Sequence, residues 1–430
     1  MSERWDENNW KRRFAVIWTG QAFSLFGSTL VGFALIWWLT QTTGSATVLA
    51  TASLAGMLPQ VLLGPVAGAL VDRWNRRAVM MLADSCIAVL TAGLAYLFLI
   101  GAAQVWHVYG VMFMRSALSA FQWPAMQAST SLMVPDRHLS RVAGFNQSLQ
   151  GAMGIVAPPL GALLLGVLPM PGVLAIDVVT ALLGIVPLFF IAIPQPARML
   201  TATGHEQTGA PRPSVLQDMA AGLRYLWVWP GLLTLLLMAT LLNFLFSPAF
   251  SLLPILVTRH FGGQALQLGW MNSAQGLGVV AGGLALGVWG GFKRRVVTSM
   301  LGLVGMGAGT LMMGMAPASA FGLALGGMLV VGVMNPITNG PLQAILQSTV
   351  APEMQGRVMS LVNSIAAAMT PLGLLVAGPL SDAFGVQLWY WVAGGAAVLM
   401  AIIALLSPAI VNLEQASKSA PVVVGAVASR

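Results

Sequence analysis

The sequence predicts an all-α membrane protein, with twelve transmembrane helices in two pseudo-symmetric six-helix bundles. Three observations predict it. First, the 430 residues are 57% hydrophobic and only 7% charged; globular chains carry about 25% charged residues, so a water-soluble core could not hide this much apolar surface. Second, apolar runs reach roughly 20 residues, the length that crosses about 30 Å of hydrocarbon. Third, Lys and Arg gather in alternate gaps between those runs, as they do on the cytoplasmic side of a membrane.

Taken in order, residues 1–13 form a polar tail without a small-residue cleavage site, read as a retained cytoplasmic segment. The first bundle, 14–194, holds spans at 14–40, 46–71, 78–101, 106–132, 142–168 and 172–194. Residues 195–213 are rich in Pro, Gly, Thr and Ala and lack apolar periodicity, as a linker does. Ser214-x-x-Gln217 then resembles a capping box, with Val215, Met219, Leu223 and Leu226 on one helical face. Two readings stay open for 214–229: an amphipathic helix on the cytoplasmic surface, completing a 195–229 linker, or an extension of span seven. The second bundle, 230–410, holds spans at 230–258, 265–291, 296–315, 318–347, 358–383 and 386–410, followed by a cytoplasmic tail, 411–430. Lys11, Arg12 and Arg13, then Arg73, Arg76 and Arg77, Arg137 and Arg141, Arg198, Arg212 and Arg224, Lys293 to Arg295, and Arg357 share one side, against Arg259 alone on the other. Both termini are therefore expected in the cytoplasm.

The halves repeat. Pro124-Ala-Met-Gln127-Ala128 returns as Pro341-Leu-Gln343-Ala344, Arg141 as Arg357, and Arg76-Arg77 as Arg294-Arg295, in the same order and at nearly one offset. Duplicated bundles are a recurrent transporter architecture.

The net charge of +8 reports orientation, not nucleic acid, because the charges lie in the short gaps. One cysteine, Cys86, excludes an intrachain disulfide, and four scattered histidines give no metal-ligand spacing. No Walker-type loop offers ATP as direct energy source, and no set of His, carboxylate and nucleophile groups converges as an intramembrane enzyme would need. No cofactor is expected.

The hairpin from Gly64 to Arg77 ends an apolar run in a carboxylate and a basic turn. Gly64 and Gly68 allow close backbone approach, and Asn75 can take the left-handed conformation a short turn needs. Asp72 opposes the negative end of its own helix and so calls for a cationic partner. Gly68, Asp72, Arg73, Arg76 and Arg77 are thus a candidate latch, the alternative being arginines that only snorkel to headgroups.

Gly68-x-x-x-Asp72-Arg73-x-x-Arg76-Arg77 is similar to the signature loop of the major facilitator superfamily. Leu39-Thr-Gln-Thr-Thr-Gly-Ser-Ala46, Leu54-Ala-Gly-Met-Leu-Pro59, Arg115-Ser-Ala-Leu-Ser-Ala-Phe121, Gln147-Ser-Leu-Gln150, Ala175-Ile-Asp177 and Gly356-Arg357-Val358 resemble its macrolide-efflux (Mef-type) drug:proton antiporters. The resemblance implies two bundles rocking about a central cavity, a latch role for Asp72 and a place for Arg115 near the proton-coupling machinery. The second-half counterpart, Gly287 to Arg295, has no carboxylate.

Charges within the spans are few, and one at mid-bilayer costs about 2.5–3.5 kcal/mol on insertion scales. Asp177, Arg115 and Asp84 are the candidates for proton coupling; the competing reading is a static ion pair that fixes helix register. Polar residues recur at helical spacing and should face protein or water. Candidate cavity residues are Gln21, Ser24, Ser119, Gln122, Trp123, Asn146 and Gln150 in the first half, and Asn243, Ser247, Trp270, Asn272, Gln275, Asn335 and Asn339 in the second. Interhelical hydrogen bonding is the alternative for each singly. The expected function is export of bulky amphipathic compounds, macrolides among them, in exchange for protons, by a monomer in the cell inner membrane in contact with its lipids. A lysophospholipid or siderophore exporter would use the same apolar cavity.

Overall fold

The computed structural model describes residues 10–71, 74–193, 230–350 and 352–408. Among them run twelve long helices and no strand. They are α1 (Trp10–Thr43), α2 (Ala46–Val71), α3 (Arg76–Leu99), α4 (Val105–Met133), α5 (Asp136–Val167), α6 (Met170–Phe190), α7 (Pro230–Ser251), α8 (Ala265–Trp289), α9 (Arg295–Met315), α10 (Phe321–Thr349), α11 (Pro352–Phe384) and α12 (Val386–Leu406). Beyond α7 the chain continues through a short helical turn, Leu253–Ile255, and a π-helical turn, Leu256–His260. Ten of the twelve are long and apolar enough to cross a membrane; α4 and α8 fall short. Both carry polar stripes, Arg115, Ser119 and Gln122 on α4 and Asn272, Ser273 and Gln275 on α8. Large apolar side chains such as Val89, Phe189, Val288 and Leu399 stand exposed on the helices. Lipid tails solvate such surface, and helices satisfy their own backbone groups there; the protein is a multi-pass membrane protein.

The chain divides into two compact units. Of the described residues, those up to 193 join 253–273 in the first, and 230–252 join those from 274 to 408 in the second. In the first unit α1 packs on α6, α2 on α4, and α3 on both α4 and α6. Glycines set the α1–α6 distance. A Cβ on Gly20 would meet the Leu183 carbonyl oxygen at 2.5 Å, and one on Gly27 would meet Thr180 Oγ1 at 2.0 Å. Close approach of this kind supplies the van der Waals contact that holds helices together in lipid, where no hydrophobic force separates protein from solvent. Residues 253–273 join this unit through specific contacts: Ser273 Oγ donates to the Ile155 carbonyl at 2.7 Å, and Gly269 leaves room for the backbone of Pro159.

In the second unit α9 packs on α10 and α12, and α7 on α11 and α12. Small residues again meet face to face, Gly309 with Gly327 and Gly307 with Gly394. Trp389 Nε1 and the Tyr390 hydroxyl of α12 donate to the α7 carbonyls of Leu245 and Ala249, at 2.8 and 2.6 Å. A buried Trp or Tyr needs such a partner for its polar end.

The turn into α3 differs from expectation. Asn75 is extended (φ −70°, ψ 107°), and its side-chain oxygen accepts from the Ala78 N–H at 3.2 Å. It is an N-cap, which satisfies one of the first orphan donors of the helix; left-handed geometry would forfeit that bond. Asp72, Arg73 and the predicted amphipathic segment 214–229 lie outside the described residues.

Candidate functional site

The charged residues predicted within the spans come together in the first unit, in two layers. Asp177 is the centre of one. Its Oδ2 pairs with Arg115 Nη1 at 2.5 Å and lies 3.2 Å from the Thr91 hydroxyl; its Oδ1 accepts from Ser28 Oγ at 3.2 Å. Arg115 also donates to Thr91 Oγ1, which is held on its own helix by the Ile87 carbonyl. Asp177 is 1% exposed and the Arg115 side chain 12%. A guanidinium keeps its proton in a protein, so this layer is electrically neutral when Asp177 is ionised.

Asp84 is the centre of the other layer. It accepts from Gln21 Nε2 at 2.9 Å and from Gln122 Nε2, with no cation bonded to it among the described residues. Gln21 Nε2 also reaches the Gly184 carbonyl at 3.3 Å, and Gln122 Nε2 the Gln21 oxygen at 3.2 Å.

Four helices supply both layers at one spacing. Gln21 and Ser28 on α1, Asp84 and Thr91 on α3, Arg115 and Gln122 on α4, and Asp177 and Gly184 on α6 are each seven residues apart. Seven residues make two turns, so each pair shares a helix face and the layers stand about 10 Å apart. The Asp84 layer is nearer the end that carries Arg76 and Arg77. Sequence reasoning missed Ser28, Thr91 and the Gly184 carbonyl. The seven-residue spacing from Gln21 and Asp84 was the available signal, but it becomes legible only when the neighbouring helices are known.

A cavity of about 300 Å³ adjoins these layers, at the lower limit of ligand pockets. Gln21, Ser24, Ser119, Gln122, Trp123, Asn146 and Gln150 line it, together with Trp18, Ser28, Gln60, Arg115 and Ser116. Trp18 Nε1 donates to Asn146 Oδ1 at 2.6 Å, which ties α1 to α5. Asp84, 2% exposed, stands behind Gln21 and Gln122 instead of on the wall. In the second unit a separate cavity of about 260 Å³ is lined by Asn243, Ser247, Asn335 and Asn339 with Ser299, Thr338 and apolar side chains. Trp270, Asn272 and Gln275 line neither cavity; Trp270 is exposed, and Asn272 Nδ2 donates to the Leu268 carbonyl one turn back.

Of the latch residues within reach of description, Arg76 Nη1 donates to the Ala128 carbonyl of α4 at 2.8 Å. Arg77 donates to Leu188 and, at 2.8 Å, to Phe189, both at the end of α6. The Leu188 and Phe189 carbonyls are orphan acceptors of the α6 C-terminus, and near both helix ends a cation meets the negative end of the dipole. The two arginines thereby tie the start of α3 to the ends of α4 and α6. Gly68 has open space where its Cβ would be.

Comparison with known proteins gives consistent matches. The family model of the Major Facilitator Superfamily matches residues 17–262 and 235–424. The chain is similar to Macrolide efflux protein A of Streptococcus pyogenes, 34% identical over 396 residues that span 92% of this chain and 96% of that protein. The protein of the same name from Enterococcus faecalis is 33% identical over 77% of this chain and all of its own length. Multidrug efflux pump Tap of Mycolicibacterium fortuitum is 28% identical over 91% of this chain and 94% of its own. Among solved structures, a POT family transporter superposes with a TM-score of 0.68 at 12% identity, covering 93% of this chain and 96% of that one. The nucleoside transporter NupG superposes at 0.66 and 14%, covering 92% and 98%.

Proposed function

Since the chain belongs to the major facilitator superfamily, and is a transporter and not an enzyme, we propose that it exports bulky amphipathic drugs, macrolides among them, in exchange for protons. The observation that carries the drug reading is the 34% identity to a macrolide efflux protein along 92% of the chain. The first-unit cavity supports it: Trp18, Trp123, Leu25, Leu35 and Met126 offer apolar and adaptable contact beside amide and hydroxyl groups that orient a ligand. Proton exchange is supported by two carboxyl groups buried to 2% and 1% exposure beside that cavity, since ionisable residues inside a membrane mark proton and substrate pathways. Asp84, Asp177 and Arg115 are the proposed coupling group, and the polar residues that line the cavity of each unit are the proposed substrate contacts. Alternating access between inward-open and outward-open states, a monomer in the inner membrane, and cytoplasmic termini complete the reading.

The test is resistance. An efflux-deficient bacterial host expressing the chain should tolerate more erythromycin than the empty host and retain less of it, and a protonophore should abolish both effects. Unchanged erythromycin tolerance with altered siderophore or lysophospholipid export would replace the drug reading. Persistence under the protonophore would remove proton exchange.

A further inference from the structure

The two layers differ in charge balance. The outer one pairs a carboxylate with a permanent cation and fills its remaining acceptor positions with Ser28 and Thr91. The inner one holds a carboxylate among neutral amides. With Arg115 at plus one and both aspartates at minus one, the group carries one uncompensated negative charge, and it belongs to Asp84. The elements packed against Asp84 bring no cation to it: α6 contributes Asp177, whose charge acts on Asp84 electrostatically, and α4 contributes Arg115, already bonded to Asp177. The basic residues of α1, Lys11, Arg12 and Arg13, all lie in its first turn, and Arg76 and Arg77 of α3 reach toward α4 and α6 at the helix start.

Resting on the antiport reading above, we propose that Asp84 is the residue that carries the exchanged proton. Gln21 and Gln122 transmit its charge to the cavity, so that the preferred substrate is an amphipathic compound bearing an ammonium group. With Asp84 ionised, both amides turn their N–H groups to the carboxylate. The Gln122 oxygen then accepts no hydrogen bond from the described residues, on a side chain that lines the cavity. A carboxamide oxygen backed by a negative charge suits a cationic N–H donor. A proton from water added to an Asp84 oxygen cancels that charge, and the new O–H needs an acceptor. A half-turn of the Gln122 amide supplies its oxygen and presents N–H groups to the cavity in its place. The wall that attracted an ammonium now repels it. Proton and cation thereby exclude each other at one site without touching, which is what exchange requires.

Two measurements decide it. The wild-type protein in mixed micelles is treated with dicyclohexylcarbodiimide, which adds to protonated buried carboxyls, and the adduct is located by mass spectrometry. Asp84 should be labelled, less so as pH rises, and erythromycin, whose tertiary amine is cationic at neutral pH, should protect it. Labelling confined to Asp177, or labelling of Asp84 indifferent to pH and drug, overturns the proposal. In weakly buffered micelles the wild-type protein should release protons when erythromycin binds, whereas Asp84→Asn should bind without release, and Gln122→Leu should lose the pH dependence of binding. Release that persists in Asp84→Asn overturns the assignment while antiport stands. A wild-type protein that binds and exports erythromycin with no proton movement overturns both.

Discussion

The Arg115–Asp177 pair yields a quantitative test of how charge is buried here. Replacing Arg115 by Leu strands a carboxylate that is 1% exposed, with two hydroxyl groups left to solvate it. Breaking a buried pair from one side costs about 3–5 kcal/mol. For a unit of this size 1 kcal/mol shifts Tm by about 2–4 °C, so the melting temperature should fall by about 6–20 °C. Asp177→Leu strands the guanidinium, but that side chain is 12% exposed and lines the cavity, where water can reach it; its loss should be the smaller of the two. The double variant removes both charges and should recover most of the stability, because apolar replacements of a buried pair are often neutral or stabilising. Thermal unfolding of the four proteins in detergent gives the double-mutant cycle. Additive losses, with the double variant the least stable of all, would refute the reasoning, because they would mean that each residue is held by something other than the other.

Gly27→Ala puts a methyl 2.0 Å from Thr180 Oγ1 and 3.0 Å from Asp177 Oδ1; the α1–α6 contact must open, with Tm lowered and transport impaired more than by Gly32→Ala, whose Cβ meets open space. Asn75→Ala removes the cap on α3 and should cost about 1 kcal/mol, read from the same unfolding assay, whereas Asn75→Ser should keep most of it. If Asp72 is a latch, Asp72→Asn should shift the population toward inward-open and slow turnover in a folded protein, with Arg294→Gln doing much less; equal effects would leave the cluster with topology alone. Tags placed after Arg430 and within 201–209 should both be accessible only from the cytoplasm, and a periplasmic signal from either would overturn the twelve-span orientation.

Much of the architecture was legible because a bilayer leaves few choices. An apolar run of the right length in a bilayer is satisfied as a helix, so the twelve long helices among the described residues show in the sequence within a few residues, ten of them long and apolar enough to cross a membrane. Their ends shift outward where the helix continues past the hydrocarbon, as at α5 and α11. Asn75 shows what local pattern could not decide: the same residue type serves a left-handed turn or an extended N-cap, and the choice rests on whether an orphan N–H, here that of Ala78, is within reach of its side chain.

The two charged layers show the same limit at longer range. Arg115, Ser119 and Gln122 stand out on α4 alone, since their spacing marks one helix face. Nothing in α1 or α3 alone distinguishes Ser28 or Thr91 from the many hydroxyls that back-bond to their own helix, as Thr29 and Thr40 do. Their meaning comes from register. Neighbouring helices run in opposite directions, so a polar residue two turns up α1 and α3 meets one two turns back along α4 and α6, and the same seven-residue step closes both layers. The glycines that bring α1 and α6 together are what make that register short enough for hydrogen bonds. Packing residues and charged residues are therefore one design: a single methyl at Gly27, pressed against Thr180 Oγ1 and Asp177 Oδ1, should disturb Asp177 without removing any polar group, and a charge-neutral variant such as Asp177→Asn should tolerate Gly27→Ala better than the native protein does. A cycle of these two changes that proves additive would separate the helix contact from the charge layer, and with it the account of why both lie at this position.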